Sequence, residues 1–256
     1  MALIRRVESL IDGLLKQYAL PIRRREMAWR CHGKNNDELV NNLSRHNVLK
    51  TERIANVMRK IDRGDFAMCT DTAYDDAPQA IGFAVTISAP HMHAYALEAL
   101  RDHLPEGGRA LDIGSGSGYL TACMAAMVGP RGRAIGVDHI PQLVEMSVKN
   151  VKKKNKKMLE TGQLQLFVGD GRDGYPGEAP YDAIHVGAAA EELPTKLVDQ
   201  LKPGGRLVCP VGKEYDDQVL LLVDKKADGS LVKTKLFGVR YVPLTDREKQ
   251  YPGRIS

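Results

Sequence analysis

The spacing between hydrophobic residues changes along this chain at about residue 109. From residue 109 onward, short β-rich runs are separated by stretches in which apolar residues recur every three or four positions. Strands that alternate with helices are typical of a doubly wound, mostly parallel sheet, so the pattern predicts an α/β fold. The seven predicted strands are 109–113, 134–138, 164–168, 182–187, 206–211, 219–224 and 236–242.

The chain before residue 109 predicts helices and one irregular segment. Apolar stripes within 36–47 and 51–61 predict two short helices, which form a small N-terminal helical preface. Residues 70–90 hold Pro78, Gly82 and Pro90 among polar residues, so they predict a loop that serves a site. A helix through 95–100 follows this segment.

Residues 1–26 carry apolar side chains at spacings of three and four, which predicts an amphipathic helix. Asp12 and Lys16 interrupt the apolar run and argue against a secretory signal, and the acidic residues weaken a mitochondrial presequence. We expect this segment to be a helix that binds a partner, or an extension that precedes a second translation start at Met27. A targeting role for residues 1–26 stays open. This divides the chain into an extension, 1–26, and a domain, 27–256.

Composition narrows the class of protein. The 256 residues are 43% hydrophobic and 27% charged, enough for one sizeable core, and no apolar run is long enough for a membrane-spanning helix, so we expect no membrane partner. The four cysteines lie 38 or more residues apart, which excludes zinc-ligand and redox-pair spacing. They predict small buried side chains in a reducing compartment.

The net charge of +5 is concentrated at the N-terminus, where 1–26 holds six basic and three acidic side chains. The nearly neutral remainder does not indicate nucleic-acid binding through phosphates. Six lysines within 149–157 predict a solvated helix face.

A glycine loop follows the first predicted strand of the sheet. Gly114, Gly116 and Gly118 stand between the strand and a helix, where glycine lets a ligand approach the backbone. Asp138 ends the next strand, 26 residues after Asp112, and can accept hydrogen bonds from ribose hydroxyls. Together these residues predict a cofactor that contains adenosine.

The details of this loop favour S-adenosylmethionine. A dinucleotide-binding fingerprint requires a third glycine at the position where this chain has Tyr119. Asp112 would repel a pyrophosphate, whereas it suits a positively charged amino group. The chain lacks the lysine of a P-loop, and Gly116 replaces the serine of a hydrolase elbow. Asp170, between two glycines after the third strand, is placed to meet an adenine amino group, although Gly-Asp-Gly is also an ordinary turn.

The methyl acceptor is indicated by two segments. Residues 185–190, which run from the end of the fourth predicted strand into the loop after it, are glycine and alanine from 187 onward, so nothing there can hold an amino nitrogen. In 85–93, a metal site at His91 and His93 lacks a third ligand, and we expect no metal. For Ser88, the role that requires the fewest further residues is that of a hydrogen-bond donor to an anionic group of the substrate.

From Met27 to about Tyr251 the chain resembles the protein-L-isoaspartate (D-aspartate) O-methyltransferase family. Six runs carry the resemblance: YDDAPQAIG at 74–82, TISAPHMHA at 86–94, LDIGSGSG at 111–118, VGDGR at 168–172, PYDAIHVGAAA at 180–190 and YVPLTD at 241–246. The run at 86–94 does not belong to methyltransferases generally.

The resemblance implies a class I S-adenosylmethionine-dependent methyltransferase fold in a cytoplasmic enzyme, with 27–256 as the methyltransferase domain. Its substrates would be the free carboxylates of isoaspartyl and D-aspartyl residues in damaged proteins and peptides. S-adenosylhomocysteine would be the product, and the methyl ester would lead through a succinimide to normal aspartate. We expect a monomer that binds neither nucleic acid nor membrane.

Site residues carried over from the resemblance place Ser88 in the active site and 241–244 beside the peptide backbone. Asp112, Gly114 and Gly116 belong to the cofactor motif. The other implied cofactor residues, together with Ser88 itself, are Val85, Thr86, Ile87, Ser88, His93, Ser117, Asp138, His139, Asp170, Gly171, Thr245 and Gln250.

Two alternatives stay open. A methyltransferase acting on RNA could use the lysines of 149–157 as a phosphate track, and steep salt dependence of binding would support it. A non-catalytic adaptor could keep the cofactor fold and bind a partner through the N-terminal helix, although the intact Ser88 segment argues against it.

Overall fold

The computed structural model describes residues 31–213 and 216–250, so the helix predicted within 1–26 lies outside the described residues. The strands are β1 (Gln79–Gly82), β2 (Val85–Ile87), β3 (Arg109–Ile113), β4 (Arg133–Asp138), β5 (Leu164–Val168), β6 (Tyr181–Val186), β7 (Leu201–Val211), β8 (Gln218–Lys225) and β9 (Leu231–Val239). The helices are α1 (Asn36–Arg45), α2 (Glu52–Lys60), α3 (Pro90–Leu100), α4 (Tyr119–Val128), α5 (Pro141–Glu160), α6 (Thr195–Asp199) and α7 (Arg247–Gln250).

The central sheet has the strand order β5-β4-β3-β6-β7-β8-β9. The five strands β3 to β7 pair in parallel, whereas β8 and β9 are antiparallel to their neighbours. The predicted mostly parallel seven-stranded sheet is therefore confirmed. The chain turns back between β3 and β6, and the carboxyl ends of strands at such a switch point form the usual ligand crevice of open α/β sheets.

Alternation along the strands divides the core between the two faces of the sheet. Ala110, Ala134 and Ala183 point to the face covered by α1 to α5, where small side chains let the helices approach. Leu111, Ile135 and Ile184 point to the opposite face, which packs against α6. Asp112 and His185 have the parity of the alanines, so the fold directs them toward the helical face.

The two helices of the predicted preface are confirmed as α1 and α2. Asn35 caps α1 by accepting a hydrogen bond of 2.9 Å from the backbone N–H of Glu38. The predicted helix through 95–100 is also present and begins earlier, at Pro90, where proline suits the first turn.

The prediction that 70–90 is an irregular loop was wrong in part. Gln79–Gly82 and Val85–Ile87 form an antiparallel hairpin, β1–β2, that is a separate two-stranded sheet. Its turn residues Phe83 and Ala84 have φ of 53° and 55°, values that most hairpins reserve for asparagine or glycine. The strands are short and the usual turn residues are absent, which explains why the pattern did not show them.

The last predicted strand, 236–242, was misplaced. Strand β9 spans Leu231–Val239, and most of its side chains are exposed because it forms the edge of the sheet. An edge strand with polar residues on both faces lacks the apolar run that marks a buried strand.

The lysine run in α5 is a solvated face, as predicted. All six lysines are exposed, and several are paired with carboxylates on the surface. Lys149 pairs with Glu145 and Lys156 with Glu160, each at 2.7 Å, and Lys154 lies 3.2 Å from both Asp62 and Asp65.

Candidate functional site

A cavity of about 830 Å³ lies at the carboxyl ends of β3 and β6. Its walls are the glycine loop, the segment 85–93 and the segment 237–243, with His46 and Val48 contributed from the preface. Three parts of the chain that are distant in sequence therefore meet at the switch point of the sheet.

The glycine loop is held by backbone and carboxylate hydrogen bonds. The backbone N–H groups of Gly114 and Ser115 donate to the carbonyl of Val137 at 2.9 and 3.1 Å. Gly114, Gly116 and Gly118 all have positive φ, which side-chain-bearing residues rarely adopt. This conformation brings the backbone of the loop to the cavity wall.

Asp138 fastens this loop to the next strand. Its carboxylate accepts hydrogen bonds from the backbone N–H of Gly116 at 3.0 Å and of Ile140 at 3.1 Å. Burial raises the pKa of Asp138, and the two backbone donors oppose that effect. Each carboxylate oxygen can accept a further hydrogen bond, which leaves capacity for two ribose hydroxyls.

Asp112 and His185 form a buried pair in the wall of the cavity. They lie opposite each other in the register of β3 and β6, and His185 Nδ1 is 2.8 Å from Asp112 Oδ1. The hydroxyl of Thr121 donates to the other oxygen of Asp112 at 2.5 Å. Both oxygens are thus engaged, so Asp112 orients His185 as well as placing negative charge at the site.

Ser88 lies between β2 and α3 and is half-buried on the cavity wall. Within the described part of the chain, no side chain or backbone group forms a hydrogen bond with the Ser88 hydroxyl. The helix that follows is fixed at its start, because Met92 N–H donates to the Ala89 carbonyl at 2.9 Å. The hydroxyl is therefore available to a ligand on a rigid support.

Two histidines of α3 also line the cavity. His91 Nδ1 lies 2.7 Å from Oδ1 of Asp76, whose side chain is fully buried, and the same oxygen accepts the backbone N–H of His91 at 3.0 Å. His93 is 7% exposed and packs against the ring of Tyr119 at 4.9 Å.

The remaining predicted cofactor residues lie beyond the wall of this cavity, around the ends of β4 and β5. His139 Nε2 is 2.8 Å from Gln250 Oε1. Arg172 pairs with both Asp170 and Asp246 at 2.5 Å, and its hydrogen bonds lower the pKa of Asp170. Gly171 lies beside Ile113, where a Cβ would come within 2.5 Å of Ile113 Cγ2.

The predicted residues therefore fall into two groups. The residues that line the cavity are Val85, Thr86, Ile87, Ser88, His93, Asp112, Gly114, Gly116 and Ser117. Asp138 connects this group to the second through its hydrogen bond to Gly116. The second group consists of Asp138, His139, Asp170, Gly171 and Gln250, and Thr245 follows Leu244, whose side chain lies near Gly171.

Sequence reasoning missed several residues that shape the site. Gln218 holds the backbone of Tyr241 from both sides, accepting its N–H at 2.6 Å and donating to its carbonyl at 3.2 Å. Asp76 and Arg63 lie behind the two histidines of α3. Asp76 stands within a run that carries the family resemblance, whereas no local pattern marks Gln218 or Arg63.

The described part of the chain contains no group of three histidine, cysteine or acidic side chains arranged to hold a metal ion. No helix within 31–213 or 216–250 combines the length and apolar character that crossing a membrane requires.

Comparison with known proteins gives a consistent result. The sequence profile described as Protein-L-isoaspartate(D-aspartate) O-methyltransferase (PCMT) matches residues 34–249. Protein-L-isoaspartate O-methyltransferase 1 of Arabidopsis thaliana is 54% identical over 219 residues, which cover 85% of this chain and 94% of that protein. The Caenorhabditis elegans protein-L-isoaspartate O-methyltransferase is 49% identical over 225 residues, covering 88% of this chain and 99% of that protein.

Among solved structures, the chain is similar to a putative protein-L-isoaspartate O-methyltransferase from Plasmodium falciparum in complex with S-adenosyl-L-homocysteine. The TM-score is 0.77 at 37% identity, covering 83% of this chain and 99% of that chain.

Proposed function

The chain belongs to the protein-L-isoaspartate(D-aspartate) O-methyltransferase family, and from this premise we propose that the cavity beside Ser88 is where it methylates isoaspartyl carboxylates. It is an S-adenosylmethionine-dependent protein carboxyl O-methyltransferase of the repair type. The observation that carries the site assignment is the position of Ser88, on the same cavity as the glycine loop and the segment 240–243.

The residues around the glycine loop fit S-adenosylmethionine. The positive-φ glycines open the backbone to a ligand, and Asp138 can accept hydrogen bonds from ribose hydroxyls. The hydroxyl of Ser115 is buried in the cavity wall and has no hydrogen-bond partner among the described residues, so a polar ligand group would satisfy it. Asp112 adds negative charge where a positively charged cofactor would lie.

When bound, S-adenosylmethionine supplies an electrophilic methyl group on a sulfonium. A carboxylic acid with an ordinary pKa near 4 is already an anion at neutral pH, so the site needs no general base. Ser88 donates one hydrogen bond to the carboxylate and orients it. A neutral hydroxyl leaves the carboxylate more nucleophilic than an arginine would, because it withdraws less charge.

The segment 241–244, which the family resemblance places beside the peptide substrate, is held by hydrogen bonds from β8 and from the loop after β6. Gln218 clamps the backbone of Tyr241, and Ala189 both donates its N–H to the Val242 carbonyl and accepts from the Leu244 N–H, each at 2.8 Å. These contacts hold Tyr241, Val242 and Pro243 on the same cavity as Ser88, as an edge that suits an extended peptide backbone.

The methyl ester formed at the isoaspartyl carboxylate converts a poor leaving group into a good one. The following backbone amide nitrogen attacks the ester carbonyl, methanol leaves and a succinimide forms. Hydrolysis of the succinimide returns part of the product to normal aspartate. No residue of the enzyme is needed for these later steps.

A peptide pair tests the proposed function. We expect transfer of radiolabelled methyl from S-adenosylmethionine to a synthetic peptide containing isoaspartate, as a base-labile ester, and none to the same peptide with normal aspartate. Labelling of neither peptide, with S-adenosylmethionine binding intact, would refute carboxyl repair. Equal labelling of both would refute selectivity for isoaspartate.

Replacing Asp138 by alanine is expected to weaken S-adenosylmethionine binding by about 1–3 kcal/mol, since hydrogen bonds to a charged group are lost and Gly116 N–H loses its acceptor. Asp138→Asn keeps one acceptor oxygen and should lose less. Isothermal titration calorimetry measures both, with the exposed Asp228→Asn as a control. Unchanged affinity in Asp138→Ala would remove this residue from the ribose site.

The proposal also covers the domain boundaries of the chain, its cellular location and its oligomeric state. We propose that 27–256 is the methyltransferase domain, supported by the match to 34–249, and that 1–26 is an appended segment. A cytoplasmic location is supported by the four unpaired cysteines, of which Cys69 is exposed. We also propose a monomer whose macromolecular partners are isoaspartyl proteins and peptides.

A further inference from the structure

Arg63 is a buried cation directly behind the cavity. It is 0% exposed, and its Nε donates to the carbonyl of Ala73 at 2.9 Å. One terminal nitrogen lies 3.4 Å from Nδ1 of His93, and the other has no hydrogen-bond partner among the described residues. The guanidinium also lies 5.9 Å from the ring centre of Tyr119. Burial lowers the pKa of Arg63 to about 10, so it remains protonated at neutral pH.

The contact with Arg63 determines which nitrogen of His93 carries the proton. A guanidinium has donors only, so His93 Nδ1 must accept and the proton of the neutral ring must lie on Nε2. Burial, followed by the positive charge of Arg63, holds the pKa of His93 well below its usual range. The other titratable groups facing this ring are His185 from β6, His91 from α3 itself and Tyr119 from α4.

His91 has the opposite arrangement, although it stands only two residues away. Its Nδ1 contacts the buried carboxylate of Asp76, which accepts hydrogen bonds and donates none when ionised. The proton of His91 therefore lies on Nδ1. A buried anion stands behind one histidine of the cavity and a buried cation behind the other, so the difference between them is set by residues outside the cavity wall.

We infer that Arg63 is a positioning residue for the cofactor, which fixes His93 as a neutral donor through Nε2 and places positive charge behind it. A donor backed by a cation suits an anionic group. His93 is one of the cofactor residues that the family resemblance implies, and the carboxylate of the methionine moiety is the anionic group of S-adenosylmethionine that such a donor would hold. This inference rests on the proposed cofactor site.

The tautomer of His93 can be measured directly in the enzyme without cofactor. Long-range ¹H–¹⁵N correlation spectra of ¹⁵N-histidine-labelled protein distinguish the two neutral forms, and loss of signal in His93→Gln provides the assignment. We expect His93 in the Nε2–H form with no titration between about pH 5 and about pH 8. The Nδ1–H form, or protonation within this range, would overturn the inference.

Arg63→Met removes the charge and the donors but keeps much of the side-chain volume. We expect a mixture of His93 tautomers and a Kd for S-adenosylmethionine raised by about tenfold or more, the effect of losing a hydrogen bond to a charged group. Arg63→Lys, which keeps a cationic donor, should recover part of the affinity. If Arg63→Met changes neither the tautomer nor the Kd, Arg63 is not a positioning residue.

Arg206→Met is the control, because Arg206 pairs with Asp224, donates to the Ala99 carbonyl in the last turn of α3, far from His93 along the helix, and lies outside the cavity wall. It should leave the His93 spectrum and the Kd unchanged. Should Arg63→Met fail to fold, the spectrum of the unaltered enzyme still decides the tautomer. Failure of the peptide test would refute the proposed function without altering that spectrum, so the two proposals fail separately.

Discussion

Replacing Gly118 by alanine is expected to lower the affinity for S-adenosylmethionine by about 100-fold, equivalent to about 3 kcal/mol. Gly118 has a φ of 82°, a left-handed conformation that costs an L-residue about 1–2 kcal/mol. A Cβ there would also lie 2.9 Å from Cβ of Ser147 on α5, and relieving such overpacking typically costs about 1–3 kcal/mol. The loop must move away from α5, which displaces Gly116 and Ser117 from the cofactor site.

Calorimetric titration of S-adenosylmethionine measures this loss, and Gly204→Ala provides the control. Gly204 has the same φ of 82°, but a Cβ there would have no atom within 4 Å. It should reduce stability through backbone strain alone and leave cofactor affinity unchanged. Removing the crowding in Gly118→Ala/Ser147→Gly should restore part of the affinity. Equal loss in Gly118→Ala and Gly204→Ala, or normal binding by Gly118→Ala, would contradict the prediction.

Replacing Ser88 by alanine is expected to lower kcat for an isoaspartyl peptide by about 10- to 100-fold, the effect of losing a hydrogen bond to a charged group at about 1.5–3 kcal/mol. The hydroxyl faces the cavity from the junction of β2 and α3 and is half-buried. It orients the carboxylate for in-line attack, so its loss should affect the chemical step more than cofactor binding. Initial rates at saturating peptide and S-adenosylmethionine measure kcat.

Ser88→Thr retains the hydroxyl and should keep more activity than Ser88→Ala. Ser230→Ala is the control, because Ser230 lies in an exposed turn between β8 and β9 and the change also removes a serine hydroxyl. Its kcat should equal that of the unaltered enzyme. Calorimetry supplies the Kd for S-adenosylmethionine, which we expect to remain nearly constant in Ser88→Ala. An unchanged kcat with a raised Kd would make Ser88 a cofactor residue only.

Much of the fold was predictable from local patterns. Strands β3, β4 and β6 are short, almost continuously buried and bounded by helices, so their apolar runs are visible in the sequence itself. Less could be predicted at the margins of the sheet. Strand β9 is exposed along most of its length, and the hairpin β1–β2 turns at Phe83 and Ala84 without the residues that usually mark such a turn.

The cofactor side of the site was predictable for a similar reason. The glycine loop and Asp138 occupy fixed positions after consecutive strands, and parallel pairing brings the ends of such strands together. Ser88, in contrast, could be interpreted from the sequence only as a hydrogen-bond donor to an anionic group, and its place in the active site came from the family resemblance. Its place opposite the glycine loop depends on how α3 packs.

The sequence by itself determined the alternating α/β order, the glycine loop with its acidic partner, and membership of the family through six specific runs. Only the tertiary structure decided which side chains stand behind the site. Arg63 reaches His93 across 30 residues, Asp112 reaches His185 across 73, and His139 reaches Gln250 across 111. Periodicity describes which face of an element is buried, whereas the partner on that face depends on long-range packing, so these pairs leave no local pattern.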